Sequence, residues 1–410
     1  MRGRAMSEGL SRRSLLGGLG AAAMGAAMKA ETGPAARVAT ARCKSYEPSQ
    51  LIPVLDGMFD KLGGLGRLVK GKTVAIKLNL NGGSTVRLGF LPLGDTHWPN
   101  PDLLGATMHL MARAGARTIR LLECAPVPWT TPFEEFFLEA NWSVQDLLSA
   151  APRVEFENTN YAGPPGKFVR FPVPGGGLLY PAYDLNHAYA DCDVFVSMAK
   201  YKDHPTTGIT TVMKNLFGVT PLMVYGNHAG KWEDNDLVAG IDRIIQLHRG
   251  IGKPAYGAPA ELDPSSPRQD GYRVPRVVAD LCAARPVHLA ILDGIKTMSG
   301  GQTPDPYCTP VEPGVLMAGT NVVSTSAVAV AAMNYNPRAP RGTVPFERSD
   351  NKLLLAEQLG AGSCDLSRIE VIGPSIAEVK FDFLALREKR RAMLQKLFPN
   401  GRYWDDPKGT

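Results

Sequence analysis

Lys200, Lys202, Asp203 and His204 follow directly on the apolar run Val194 to Met198, inside the stretch DVFVSMAKYKDHPTTGITTVMKNLFGVTP that spans Asp193 to Pro221. The run is short and β-branched, which reads as a buried strand, so four ionisable side chains stand where that strand ends. Pro205 to Gly208 make a loop. A short helix then carries Lys214 and Asn215 before Gly218 and Pro221 stop it. Other chemically able residues fall at other strand ends: Lys77 and Asn79 late in one strand, Asp293 and Lys296 after another, then Gly300, Gly301 and Asn321. In an open α/β sheet ligands bind beyond the carboxyl ends of the strands. If these ends converge, the lysines build a positive site for a small anionic ligand: a phosphate, a carboxylate or an enolate-like intermediate. Lys77, Asn79, Lys200, Lys202, Asn215 and Asn321 would hold it, and Gly300 and Gly301 would admit close backbone approach.

The histidines extend this chemistry. His204 next to Asp203 suits a proton-transfer group, with Asp203 or Asp293 orienting it or holding a metal and Lys214 stabilising negative charge. His97 and His228 lie in other loops, and with Asp293 or Glu123 they make a divalent metal a candidate cofactor. No HxH or HExxH spacing occurs. The six cysteines contain no CxxC pair, so no iron–sulfur motif is written. Gly63-Gly64-Leu65-Gly66 precedes a strand instead of linking strand to helix, which excludes a dinucleotide fingerprint, and neither a Walker motif nor a GxSxG elbow is present. Two functions remain open: an enzyme acting on a small anion, and a non-catalytic protein that binds a metal or an anionic cofactor.

The elements that must position these residues alternate. Helical periodicity at Pro48 to Leu68, Asp102 to Ala114 and Pro275 to Ala284 alternates with strand patterns at Thr73 to Leu80, Thr118 to Cys124, Val154 to Asn158 and Val287 to Leu292. Gly314 to Ala318 feeds the helix Val322 to Met333, and Ile369 to Ile372 precedes a basic helix at Phe383 to Leu397. Lys167 to Phe171 and Gly177 to Tyr180 suggest a hairpin, and Asp234 to His248 a helix. The fold class is therefore α/β, a mainly parallel or mixed sheet flanked by helices, over residues 42–380, with a basic C-terminal helix and tail over 381–410.

Residues 1–41 read as a leader. Ser11-Arg12-Arg13-Ser14-Leu15-Leu16 has the form of a twin-arginine signal, followed by the weakly apolar Gly17 to Met28 and by small-residue cleavage sites at Ala39-Thr40-Ala41 or earlier, near Ala30 or Ala36. The expected location is periplasmic or otherwise exported, with the twin-arginine machinery as a partner. The apolar stretch is too short and Gly-rich for a stable membrane anchor. Six basic against two acidic residues in this leader supply four of the net charge of +6, so the remainder gives no reason to expect a nucleic-acid partner.

Several blocks taken together resemble the bacterial and archaeal domain of unknown function 362 (DUF362) family: KLN at Lys77 to Asn79, AKYKDH at Ala199 to His204, MKNLFGVTP at Met213 to Pro221, DGIKTMSGGQTP at Asp293 to Pro304 and VLMAGTNVVSTSAVAV at Val315 to Val330. The resemblance covers roughly residues 70 to 335. It implies no defined activity. Some members carry an attached ferredoxin-like segment that this sequence lacks, and Ser326 stands where an Asp is common in the family.

Overall fold

Every residue of Val194–Lys200 is buried, as a β-branched run covered on both faces requires. The computed structural model describes residues 36–125, 127, 131–163, 165–226 and 244–399. In chain order the strands are β1 (Ala36–Arg42), β2 (Thr73–Lys77), β3 (Thr118–Glu123), β4 (Val154–Asn158), β5 (Val169–Pro172), β6 (Ala182–Leu185) and β7 (Val194–Lys200). There follow β8 (Lys202–His204), β9 (Gly208–Thr210), β10 (Leu289–Gly294), β11 (Thr297–Ser299), β12 (Thr309–Val311), β13 (Val315–Gly319) and β14 (Ile369–Ile372). Eight of them form one sheet in the order β14-β1-β13-β10-β7-β2-β3-β4, and only β13 runs against its neighbours. This is the mainly parallel α/β sheet expected from the alternation of elements.

That order places the carboxyl ends of β2, β3, β7 and β10, with Lys77, Glu123, Lys200 and Asp293, along one edge. From β2 the chain moves outward through β3 and β4, then returns to β7 on the other side of β2 and continues to β10. The topological switch point, where an open α/β sheet offers its crevice, therefore lies between β2 and β7.

Side chains alternate across the sheet with period two. Val74, Ile76, Val196, Met198 and Ile291 share one core with the helices Pro48–Lys61 and Pro101–Arg113. Ala75, Phe195, Ala199 and Leu292 belong to the other, with Asp270–Ala284, Val322–Ala332 and Lys352–Gln358. The pleat carries Lys200 and Asp293 onto the first face and Lys77 onto the second. One row of strand ends thus serves two sides of the sheet.

Three local readings change. β1 falls inside the stretch read as leader: it pairs with β13 and β14, and Val38 and Ala39 are fully buried. A cut after Ala41 would remove a sheet strand, whereas a cut near Ala30 leaves it whole. The second strand of the predicted hairpin is Ala182–Leu185 in place of Gly177 to Tyr180, because Gly175, Gly176 and Gly177 all take positive φ and make the turn themselves. Of the helix predicted over Asp234 to His248, residues Ile244–His248 form a π-helical turn; the rest, with His228, lies outside the described residues.

Candidate functional site

Lys200, like Lys202 and Asp293, is fully enclosed. Its Nζ donates to Asp293 Oδ2 at 2.8 Å, to the Gly94 carbonyl and to Tyr46 Oη at 3.2 Å. Asp293 is saturated in turn: Oδ1 accepts from Tyr46 Oη (2.8 Å) and Ile295 N, and Oδ2 from Asn100 N (2.9 Å) as well as Lys200. Burial pushes the lysine below its ordinary pKa, and Asp293 pulls it back. With every donor and acceptor engaged inside the protein, this pair is a buried tie between β7, β10 and the segments that carry Tyr46 and Asn100. It is not free to act on a ligand.

A second tie closes the switch-point crevice. Lys77 Nζ meets Glu123 Oε1 at 2.7 Å and Asn215 Oδ1 at 3.1 Å, and Glu123 also accepts from the backbone of Leu80 and Cys124. Asn215 Nδ2 donates to Lys77 O on β2 and to Ser197 Oγ and Met198 O on β7. The chain's own helical turn Lys214–Val219 therefore fills the place where other open α/β sheets bind ligands. Gly218 is required there, since a Cβ would stand 2.9 Å from Lys77 Nζ.

Asp203 points away from its neighbours, as the middle residue of β8 must. It accepts from Ser299 Oγ, Gly300 N and Tyr335 Oη, so it orients a loop and not His204. Gly300, at φ +110, gives its amide to that carboxylate, and a Cβ on it would meet Arg390 of the C-terminal helix. A Cβ on Gly301 would stand 2.9 Å from Thr303 O, so this pair folds the loop on itself. Asn321 is furthest from expectation: β13 runs antiparallel, so its carboxyl end lies at the opposite edge, and Asn321 caps the helix Val322–Ala332 through Val323 N and Ser324 N. Ser326 accepts from Thr211 Oγ1 and Met213 N, holding the β9 to Lys214 connection against that helix.

Lys202 and His204 remain. They share the other face of β8, and across the β8–β9 pair Lys202 stands opposite Thr210. Lys202 is fully buried, donating to Asn81 Oδ1 at 2.7 Å and to the His97 carbonyl. Among the described residues no carboxylate pairs with it. Burial first, then Lys200 and Lys214, drive its pKa well below the usual lysine value. His204 Nδ1 accepts from two backbone amides, Thr206 N and Thr207 N, each at 3.1 Å. That arrangement forces the proton onto Nε2, which is buried and has no partner among the described residues. Burial, Lys214 and Lys352 hold the ring neutral. His204 is thus a fixed N–H donor. It cannot accept a proton at Nε2, nor ligate a metal there without turning a second N–H against two amides. The proton-transfer and metal roles that sequence assigns to it do not suit this geometry.

Lys352 completes the cluster, and sequence gave no sign of it. Fully buried at the start of Lys352–Gln358, it donates to Thr207 O at 2.8 Å, and burial with Lys214 pushes it well below the usual lysine value. Lys214 is half-buried, with its Nζ 4.5 Å from the centre of the Phe217 ring. Asn79 links the groups: its Oδ1 faces the Lys200 amide and its Nδ2 donates to Asn81 Oδ1. Among the described residues, His97 Nε2, Thr207 Oγ1 and Thr210 Oγ1 are further buried polar atoms without partners. Among the described residues, no group of three His, Cys, Asp or Glu side chains could hold a metal.

The two histidines held furthest below their ordinary value, His97 and His204, set a pH dependence. For His97 and His204 the unfolded ring, at its ordinary value near 6.5, takes a proton before the folded ring does. Stability is therefore lost as pH falls below about 6.5, by up to about 1.4 kcal/mol per pH unit for each ring until its folded pKa is reached. Urea unfolding between neutral and mildly acidic pH should show a shallower slope for His204→Gln than for the wild type; equal slopes would refute the assignment.

The chain has recognisable relatives. The family model described as "Domain of unknown function (DUF362)" matches residues 74–331. A thylakoid-associated protein of Synechocystis sp. is 26% identical over 270 residues, covering 61% of this chain and 75% of its own. A crystal structure of a Thermotoga maritima protein aligns with a TM-score of 0.32 and 13% identity over 66% of this chain, which spans 56% of that protein, a likeness too distant to bear on the fold.

Proposed function

The chain belongs to the DUF362 family, whose description carries no activity, and from its own residues we propose that it binds a small anion, a phosphate or a carboxylate, through Lys202, Lys352, Lys214 and the Nε2–H of His204. One observation carries this reading: among the described residues, Lys202 and Lys352 are fully buried lysines that donate to neutral oxygens and meet no carboxylate, beside a buried imidazole N–H without an acceptor. Burying an amine without an acid is costly, and an anion would offset that cost while accepting from the orphan donor. Calorimetric titration with inorganic phosphate, sulfate and acetate tests the proposal. Lys202→Met and Lys352→Met should each weaken binding by about tenfold or more, the equivalent of one charge-assisted hydrogen bond of about 1.5–3 kcal/mol. Lys296→Met, whose lysine pairs with Asp95, should not. Failure of all three anions to bind would end it.

We propose further that the chain is exported by the twin-arginine route and cleaved before β1. Arg12 and Arg13 within Ser11 to Leu16 support this, and the export machinery is the partner it implies. Replacing both arginines by lysine should leave the precursor in the cytoplasm in a pulse-chase fractionation; unchanged export would refute it.

A further inference from the structure

A cleft of about 820 Å³ opens above the Lys200 and Asp293 pair, lined by the N-terminal ends of the helices Pro48–Lys61 and Pro101–Arg113 and by the loop that precedes the second of them. That is the size of a small-molecule site. The pair fixes its floor from below. Tyr46 Oη and Asn100 N donate to Asp293, and the Gly94 carbonyl accepts from Lys200. All three of these residues line the cleft, so a buried ion pair with no free valence of its own holds two separate chain segments in one geometry.

The walls and rim are left open to a ligand. Lys44 and Arg87, and likewise Glu47 and Asp102, line the cleft with no ion-pair partner among the described residues, whereas Lys296 and Asp95 neutralise one another at 3.2 Å. Trp142 is 5% exposed, and its indole N–H has no acceptor among the described residues. Phe90, at the rim, is fully exposed and offers both faces of its ring.

Two unpaired cations face two unpaired carboxylates, so the cleft presents no net charge to an ion. Its ammonium, guanidinium and indole groups donate, and its carboxylates accept. A hydroxyl group answers both, since it donates one hydrogen bond and accepts two. A sugar ring carries several hydroxyls at its edge and C–H groups on its faces, and those faces pack on aromatic rings. We infer that the cleft is a second ligand site, separate from the buried Lys202 cluster, and that it takes an uncharged saccharide. Lys44, Arg87, Glu47 and Asp102 hold the hydroxyls, Trp142 donates to an oxygen and Phe90 covers a ring face. Lys200 and Asp293 are positioning residues for it.

The test is isothermal titration calorimetry of the full chain with neutral trisaccharides (maltotriose, cellotriose, mannotriose and tri-N-acetylchitotriose), with free lysine and inorganic phosphate as charged comparisons. At least one trisaccharide should bind. Phe90→Ala, which removes a ring that supports nothing in the fold, should weaken that binding by about fivefold, the equivalent of one aromatic contact. Glu47→Gln should weaken it too, and Tyr256→Ala, an equally exposed ring outside the cleft, should not. The folded double variant Lys200→Met with Asp293→Leu should lose affinity through its floor; unchanged affinity there would overturn the positioning role. Failure of all four trisaccharides, or binding that both Phe90→Ala and Glu47→Gln leave intact, would overturn the saccharide site. Lysine or phosphate bound in a manner sensitive to Phe90→Ala, with no trisaccharide bound, would overturn the ligand class.

Discussion

Asp293→Ala is expected to destabilise the protein by roughly 3–5 kcal/mol, the cost of leaving one member of a buried ion pair without its partner. Lys200 would keep Tyr46 Oη and the Gly94 carbonyl but lose the acid it is bonded to, in a place with no access to water. Tyr46, Asn100 N and Ile295 N would lose their acceptor at the same time. The double variant Lys200→Met with Asp293→Leu removes both charges and should recover much of that loss, because well-packed apolar side chains replace such pairs at little net cost. Denaturant unfolding of both variants decides the matter. A single variant within about 1 kcal/mol of wild type would show that the pair does not hold these strands together. A large loss here would also support the division of labour drawn above, in which Lys200 and Asp293 tie the fold and Lys202 meets the ligand.

The second large effect concerns where the mature chain begins. A chain started at residue 42 lacks all but the last residue of β1, and should fail to yield soluble folded protein, whereas one started at residue 34 should fold. β1 is an interior strand, parallel to β14 on one side and antiparallel to β13 on the other. Without it β13 and β14 each expose an unpaired backbone edge, a template for aggregation, and the packing around Val38 and Ala39 is lost from both faces of the sheet. The measurement is soluble yield and circular dichroism of the two truncations. Cooperative unfolding of the chain started at 42 would show β1 to be dispensable and restore Ala41 as an acceptable processing point.

Much of the scaffold was legible from local pattern. β4 and β14 and the helix Phe383–Leu397 lie where periodicity placed them, because apolar alternation and turn residues are properties of neighbouring positions. β1 was hidden because its small residues, ARVATAR, resemble a processing site as closely as a strand. Lys352 was hidden because a lysine in the first turn of a helix ordinarily lies in solvent; here the helix packs against Asp270–Ala284 and the lysine is enclosed.

The sequence by itself determined that polar residues gather at the ends of buried strands, since a run of apolar side chains closed by Lys, Asp and His can be read without coordinates. Only the tertiary structure decided which of them remain available for chemistry. Strand pleating sends Lys77 to one face and Lys200 with Asp293 to the other, and each finds an acid from a distant segment. β8 turns Lys202 and His204 together and Asp203 away, and among the described residues it leaves the lysine without an acid and the imidazole N–H without an acceptor. Neutralisation of a buried charge depends on residues far along the chain, as Glu123 is from Lys77 and Asp293 from Lys200, and local spacing holds no record of that pairing.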